Sequence, residues 1–142
     1  MRWNCSKKRW NGGEIDTNIW LELLLEQEKQ DEVRTFFEKV SVDNIAITDF
    51  SVYSIGILLT RLHKDDIFKK FIRDVFTDSR VPLLSVSNED YDELIDNRLS
   101  YGLDFDDAYQ FTVCQKYNLS LVSFDADFDK IPDGRRTPGE LL

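Results

Sequence analysis

Aspartates occur in three short runs that lie far apart along the chain: Asp16 with Thr17 and Asn18, Asp104 with Asp106 and Asp107, and Asp125 with Asp127. Carboxylates brought together repel one another and are costly to hold unless a cation sits between them. Hard oxygen donors with room for water suit Mg²⁺ or Mn²⁺. Such an ion at a phosphodiester lowers the pKa of an attacking water and stabilises the departing oxygen. Each run also has an ordinary structural use. Asp16, Thr17 or Asn18 can cap a helix that begins near Ile19. Asp104 can be an N-cap with Asp107 in the first turn, where the helix dipole favours acid, and Asp125 with Asp127 suits a turn. The coincidence of all three runs at strand ends or helix starts favours one shared site.

The elements that would position them follow from hydrophobic spacing. Val33, Phe36, Phe37 and Val40 fall at i, i+3, i+4 and i+7, one apolar stripe of a helix. Asn44 to Ile47 is a short strand, and Thr48 caps a helix carrying Ile55, Leu58, Leu59 and Leu62. A third helix carries Phe68, Ile72, Val75 and Phe76. Val81 to Val86 has strand length, and Ser87 with Asp90 three residues on is a capping box for a helix bearing Tyr91, Leu94, Ile95 and Leu99. A further helix runs from about Asp104 to Tyr117, and Leu119 to Phe124 is the next strand. The tail, with Asp133-Gly134 and Pro138-Gly139, is turn-rich with room for one last short strand. Short continuous strands alternating with helices predict an α/β fold, a parallel sheet covered on both faces. Ligands of such sheets gather at the carboxyl ends of the strands.

A chain of 142 residues makes one domain, and we expect residues 1–13 to form an irregular leader and residues 14–142 the domain itself. The formal net charge of −9 argues against gripping nucleic acid by bulk positive charge, but not against a nuclease whose acids hold metal. Cys5 and Cys114 form no CxxC, so a reducing, cytoplasmic setting is expected. No apolar run reaches the roughly 18 to 20 residues that span a bilayer, and the first residues lack the apolar core of a secretory signal. His63, beside Lys64 at a helix end, suits a helix C-terminus better than catalysis, and Cys114 suits core packing. No Gly-rich phosphate loop, GxSxG elbow or HExxH is present.

Four strings in order carry a family resemblance: Ile15-Asp16-Thr17-Asn18, Asp107-Ala108 opening a long helix, Leu121-Val122-Ser123-Phe124-Asp125-Ala126-Asp127-Phe128, and Thr137-Pro138. From Glu14 onward the chain resembles the PIN domain, the small metal-dependent nuclease fold of VapC-type toxins. The resemblance implies a three-layer α/β/α fold with a central parallel sheet, bound Mg²⁺ or Mn²⁺, and hydrolysis of RNA. Carried over by position, Asp16, Asp107 and Asp125 match the family's acidic catalytic and metal-holding residues. Asp127 matches a less regular further ligand, and Asp104 lies one helical turn before Asp107 as an added one. Thr17, Asn18 and Ser123 match small polar positions that support the carboxylates.

Two departures stand out. The family's Glu in the helix after the second strand falls here near Ser54, so the site holds one carboxylate fewer, with Asp49 the nearest acid at the helix start. Before Ile15, where the family has a run of apolar residues, this chain reads Arg9-Trp10-Asn11-Gly12-Gly13-Glu14, poor strand material. Either the central strand is unusually short, or Trp10 packs where a strand residue would.

Three functional readings follow. As a ribonuclease, the domain needs local positive charge for its substrate, from Lys7, Lys8 and Arg9, from Lys64, Lys69, Lys70 and Arg73, or from Arg135 and Arg136. As a degenerate PIN domain, it binds RNA or protein without cutting; the missing Glu favours this and the retained aspartates oppose it. As a toxin, it forms a homodimer and is blocked by an antitoxin that inserts a basic or aromatic segment near the acidic site, a partner to which the net charge is complementary.

Overall fold

The computed structural model describes Trp10 and residues 12–142. Four parallel strands lie in the order β3-β2-β1-β4, with β1 at Gly13–Ile15, β2 at Ile45–Thr48, β3 at Leu83–Leu84 and β4 at Ser120–Val122. Ile15 pairs with Val122, and Glu14 pairs with both Ala46 and Leu121. Parallel strands need crossovers, and helices supply them: α1 (Thr17–Leu24) and α2 (Gln30–Lys39) after β1, then α3 (Asp49–Arg61) and α4 (Asp65–Ile72) after β2. A π-helical turn, Arg73–Asp78, extends α4. After β3 come α5 (Tyr91–Tyr101) and α6 (Phe105–Tyr117).

Side chains alternate across each strand, so the sheet buries two cores. Ile15, Ile47 and Val122 meet Ile19, Phe36, Ile55 and Leu59 on one face. Leu121 meets Leu94, Phe111 and Phe128 on the other. Helices therefore cover both faces, and the architecture is the expected three-layer α/β/α fold. No helix among the described residues is long and apolar enough to cross a membrane.

The central strand is short, and Trp10 packs beside it against the first core. β1 takes in Gly13, one residue earlier than the expected domain start. A Cβ there would lie 2.6 Å from the Trp10 ring and 2.9 Å from Val122, so only glycine leaves room for the indole. Gly13→Ala is therefore expected to cost about 1–3 kcal/mol through overpacking, read from urea denaturation. A variant as stable as the parent would contradict this packing.

Three expectations change in detail. The strand foreseen at Val81 to Val86 pairs only through Leu83–Leu84, because the Val86 N–H leaves the ladder and donates to the Tyr109 hydroxyl at 3.0 Å. In α5 the buried stripe is not Tyr91, Leu94, Ile95 and Leu99: only Leu94 is buried, while the other three are exposed. The face turned to α6 runs through Leu94, Asn97 and Tyr101, with Asn97 donating to Thr112 and Gln115 and Tyr101 edge-on to Phe111. The tail adds no full strand; Arg136 forms a single parallel bridge with Val122. The capping box at Ser87 and Asp90 forms as expected, and Thr48 caps α3 by accepting from Ser51 N–H.

Candidate metal centre

The carboxyl ends of β1 and β4 and the first turn of α6 meet at one basin of about 260 Å³, lined by Asp16, Asn18, Ser54, Asp106, Asp107 and Asp125 among others. Asp16 follows β1 directly and caps α1, accepting from Thr17 N–H at 2.8 Å. Capping and site geometry coexist in this residue. Its Oδ2 accepts from the Ser123 hydroxyl at 2.7 Å and from Asn18 Nδ2 at 3.3 Å. Asn18 Oδ1 in turn accepts from Phe124 N–H, and Ser123 Oγ from Asp125 N–H. Thr17 reaches Ser51 Oγ at 2.8 Å. Thr17, Asn18 and Ser123 thus form a polar scaffold around the first acid and tie β1 to the loop after β4.

Asp107 stands in the first turn of α6, after the N-cap Asp104. The Asp104 side chain makes no cap hydrogen bond, so its carboxylate stays available. Asp107, Asp125 and Asp127 each offer an oxygen within 4.8 Å of the others, and Asp104, Asp106 and Asp107 do the same. Asp125 also accepts from Asp127 N–H at 2.9 Å, so the turn expected there shapes the cluster rather than replacing it.

The crowding is visible in proton affinities. Burial, then the neighbouring Asp106, Asp125, Asp16 and Asp127, push Asp107 up to about 7. Burial also raises Asp16 to about 6, against the hydrogen bonds from Ser123 and Thr17. Glu14 is fully buried beneath it, and burial with the Asp16 charge holds its carboxyl well above the usual range, despite a contact from the Cys114 thiol. Oxygen donors that converge, repel and leave space for water are a fit for a hard divalent cation.

The position expected for the family's Glu is Ser54, which lines the basin with a hydroxyl. Asp49 does not replace it. Its carboxylate accepts from the Tyr109 hydroxyl at 2.6 Å and from Phe50 N–H, and it is not among the lining residues. Gln110 is a residue that sequence reading missed: it is 2% exposed, it lines the basin, and its amide donates to Asp16 Oδ1 at 3.2 Å. The available signal was a polar residue three positions after Asp107 in an otherwise apolar stretch of helix.

Of the cations proposed for substrate, Lys64, Lys69, Lys70 and Arg73 do not line the basin. Arg135 pairs with Asp129 and donates to Ser123 O, and Arg136 is buried. Lys7, Lys8 and Arg9, like Cys5, lie outside the described residues. Lys29, not foreseen, stacks its ammonium 4.5 Å above the ring of Phe124, the residue before Asp125 in sequence. His63 sits exposed just beyond α3, and Cys114 is buried in the second core.

A family model described as PIN domain matches residues 14–134. Comparison with curated proteins gives no match. Among solved structures, a toxin-antitoxin complex from Klebsiella pneumoniae is similar at TM-score 0.71 and 21% identity, over 89% of this chain and 98% of that one. FitAcB from Neisseria gonorrhoeae has TM-score 0.71 at 13% identity, over 89% and 97%. PAE2754 from Pyrobaculum aerophilum has TM-score 0.64 at 21% identity, over 92% and 91%. At these identities the likeness carries the fold.

Proposed function

This chain belongs to the PIN domain family, and from that premise we propose that it is a metal-dependent endoribonuclease, the toxin of a toxin-antitoxin pair. The observation that carries the reading is the convergence of Asp16, Asp107 and Asp125, from three distant segments, on one basin. Asp16, Asp107 and Asp125 would hold Mg²⁺ or Mn²⁺, with Asp127 and Asp104 at the margin. A cation there supplies a Lewis acid for the phosphodiester and acidifies an attacking water. Thr17, Asn18 and Ser123 orient the first acid.

The Klebsiella structure is a toxin-antitoxin complex, and we extend an antitoxin partner to this chain. A groove of about 710 Å³ walled by Trp20, Leu24, Phe37, Phe71 and Val75 suits an apolar segment of that partner, and the net charge of −9 suits a basic one. Exposed Tyr91, Ile95 and Leu99, at i, i+4 and i+8 of α5, support a homodimer. We place the chain in a reducing, cytoplasmic setting, on the two distant cysteines that form no CxxC. One observation favours the second reading, a degenerate domain that binds RNA or protein without cutting: Ser54 supplies no charge where the family has Glu.

Incubation of a mixed RNA pool with Mg²⁺ or Mn²⁺, with EDTA controls and the variants Asp16→Asn and Asp107→Asn, tests the choice. Metal-dependent cleavage lost in both variants is the expected result. A folded wild type that cuts nothing across metals and pH would establish the degenerate reading instead.

A further inference from the structure

The hydrogen bonds around Gln110 run in one direction only. Thr48 Oγ1 accepts from Ser51 N–H at 3.1 Å as the cap of α3, and its own proton faces Gln110 Oε1 at 2.9 Å, a shorter contact than the 3.3 Å to Ser51 Oγ. With its carbonyl so engaged, the Gln110 amide nitrogen faces the other way, toward Ser51 Oγ at 2.7 Å and Asp16 Oδ1 at 3.2 Å. Thr48 and Ser51 are fully buried and Gln110 nearly so, which leaves little room for water to substitute for these bonds. A flipped amide would set two acceptors, Gln110 Oε1 and Asp16 Oδ1, against each other.

Gln110 lies three residues after Asp107, on the same side of α6. Its bond to Asp16 therefore links the helix turn that carries one carboxylate to the carboxylate that follows β1. We propose that Gln110 is a positioning residue: by tying Asp16 to the turn bearing Asp107, it fixes the spacing of two carboxylates that would otherwise repel each other apart. The fold sets this up through an N-cap in α3, so a helix start bears on the geometry of carboxylates carried by other elements. This assignment rests on the reading that the basin holds a divalent cation.

The test is Mn²⁺ affinity, measured by calorimetry and by the loss of the free-ion paramagnetic resonance signal, alongside thermal melting. Gln110→Met keeps the side-chain volume and removes the donor, and Gln110→Asn keeps an amide but shortens its reach. Asn97→Leu is the control, because Asn97 bridges Thr112 and Gln115 of the same helix away from the basin. Both Gln110 variants should bind Mn²⁺ roughly 10-fold more weakly, the scale on which residues that orient a metal ligand act. Asn97→Leu should melt earlier yet bind Mn²⁺ as the wild type does. Wild-type affinity in the folded Gln110 variants, or an equal loss in Asn97→Leu, overturns the role of Gln110 while leaving the metal reading intact. A wild type with no saturable Mn²⁺ binding overturns both.

Discussion

Asp107→Asn is expected to abolish metal-dependent RNA cleavage and at the same time to make the metal-free protein more stable at pH 8. The two effects have one origin. Burial and repulsion from Asp106, Asp125, Asp16 and Asp127 together raise Asp107 to about 7. From the ordinary value of 3.8 upward the fold resists its ionisation, and the cost grows with pH until about 7; asparagine keeps the shape without the charge. The same change removes one of the three carboxylates that would hold the cation, and the activity loss should be at least about 100-fold, since losing a residue one step further from an ion already costs about 10–100-fold. Initial rates on the RNA pool and melting curves in EDTA at pH 8 and pH 5.5 check both halves. At pH 5.5 the folded protein holds a proton that the unfolded chain has already lost, so the stability gain should be smaller there than at pH 8 and vanish only below the ordinary carboxylate value of 3.8. A variant that cuts RNA at the parental rate would remove Asp107 from the metal-holding set.

The second large effect is the pH dependence of stability and its reversal by metal. Asp16 rises from an ordinary 3.8 to about 6 and Asp107 to about 7, and Glu14 is raised as well. A group raised in the folded state binds its proton more tightly there than in the unfolded chain, so it favours folding at low pH and that contribution is lost as pH climbs through the folded value. The metal-free protein should therefore melt at progressively lower temperature from pH 5 to pH 8. Asp90 acts in the opposite sense at the acid end: hydrogen bonds from Lys116 and Ser87 hold it at about 2, so its contribution is lost below the ordinary carboxylate range. Ligand carboxylates must shed their protons to bind a cation, so saturating Mg²⁺ or Mn²⁺ should raise the melting temperature far more at pH 8 than at pH 5.5. Scanning calorimetry across this range, with EDTA or metal, tests it. A melting temperature flat in pH without metal, or a metal-induced gain equal at both ends, would contradict the coupling.

Much of this arrangement was legible in the residues. The stripe Val33, Phe36, Phe37 and Val40 marks α2, and Thr48 announces the start of α3, because a helix face and a cap are settled by neighbours within a turn or two. Asp16, Asp107 and Asp125 stand out for the same reason: each sits at a strand end or in a first helical turn, where parallel sheets present their ligands. The α5 stripe misled because Tyr91, Ile95 and Leu99 share a helix side with Leu94, yet which side faces α6 depends on the fit to Phe111 and Thr112.

By itself the sequence determined the element order, the three acidic runs and the family, all of which rest on local spacing. Only the tertiary structure decided that Asp49 turns to Tyr109, that Ser54 lines the basin, and that Gln110 reaches Asp16 from 94 residues away. Those choices depend on which side chains meet across the sheet and between helices. Distance along the chain carries no record of such meetings, because packing and the pairing of buried polar groups are settled only when the layers close.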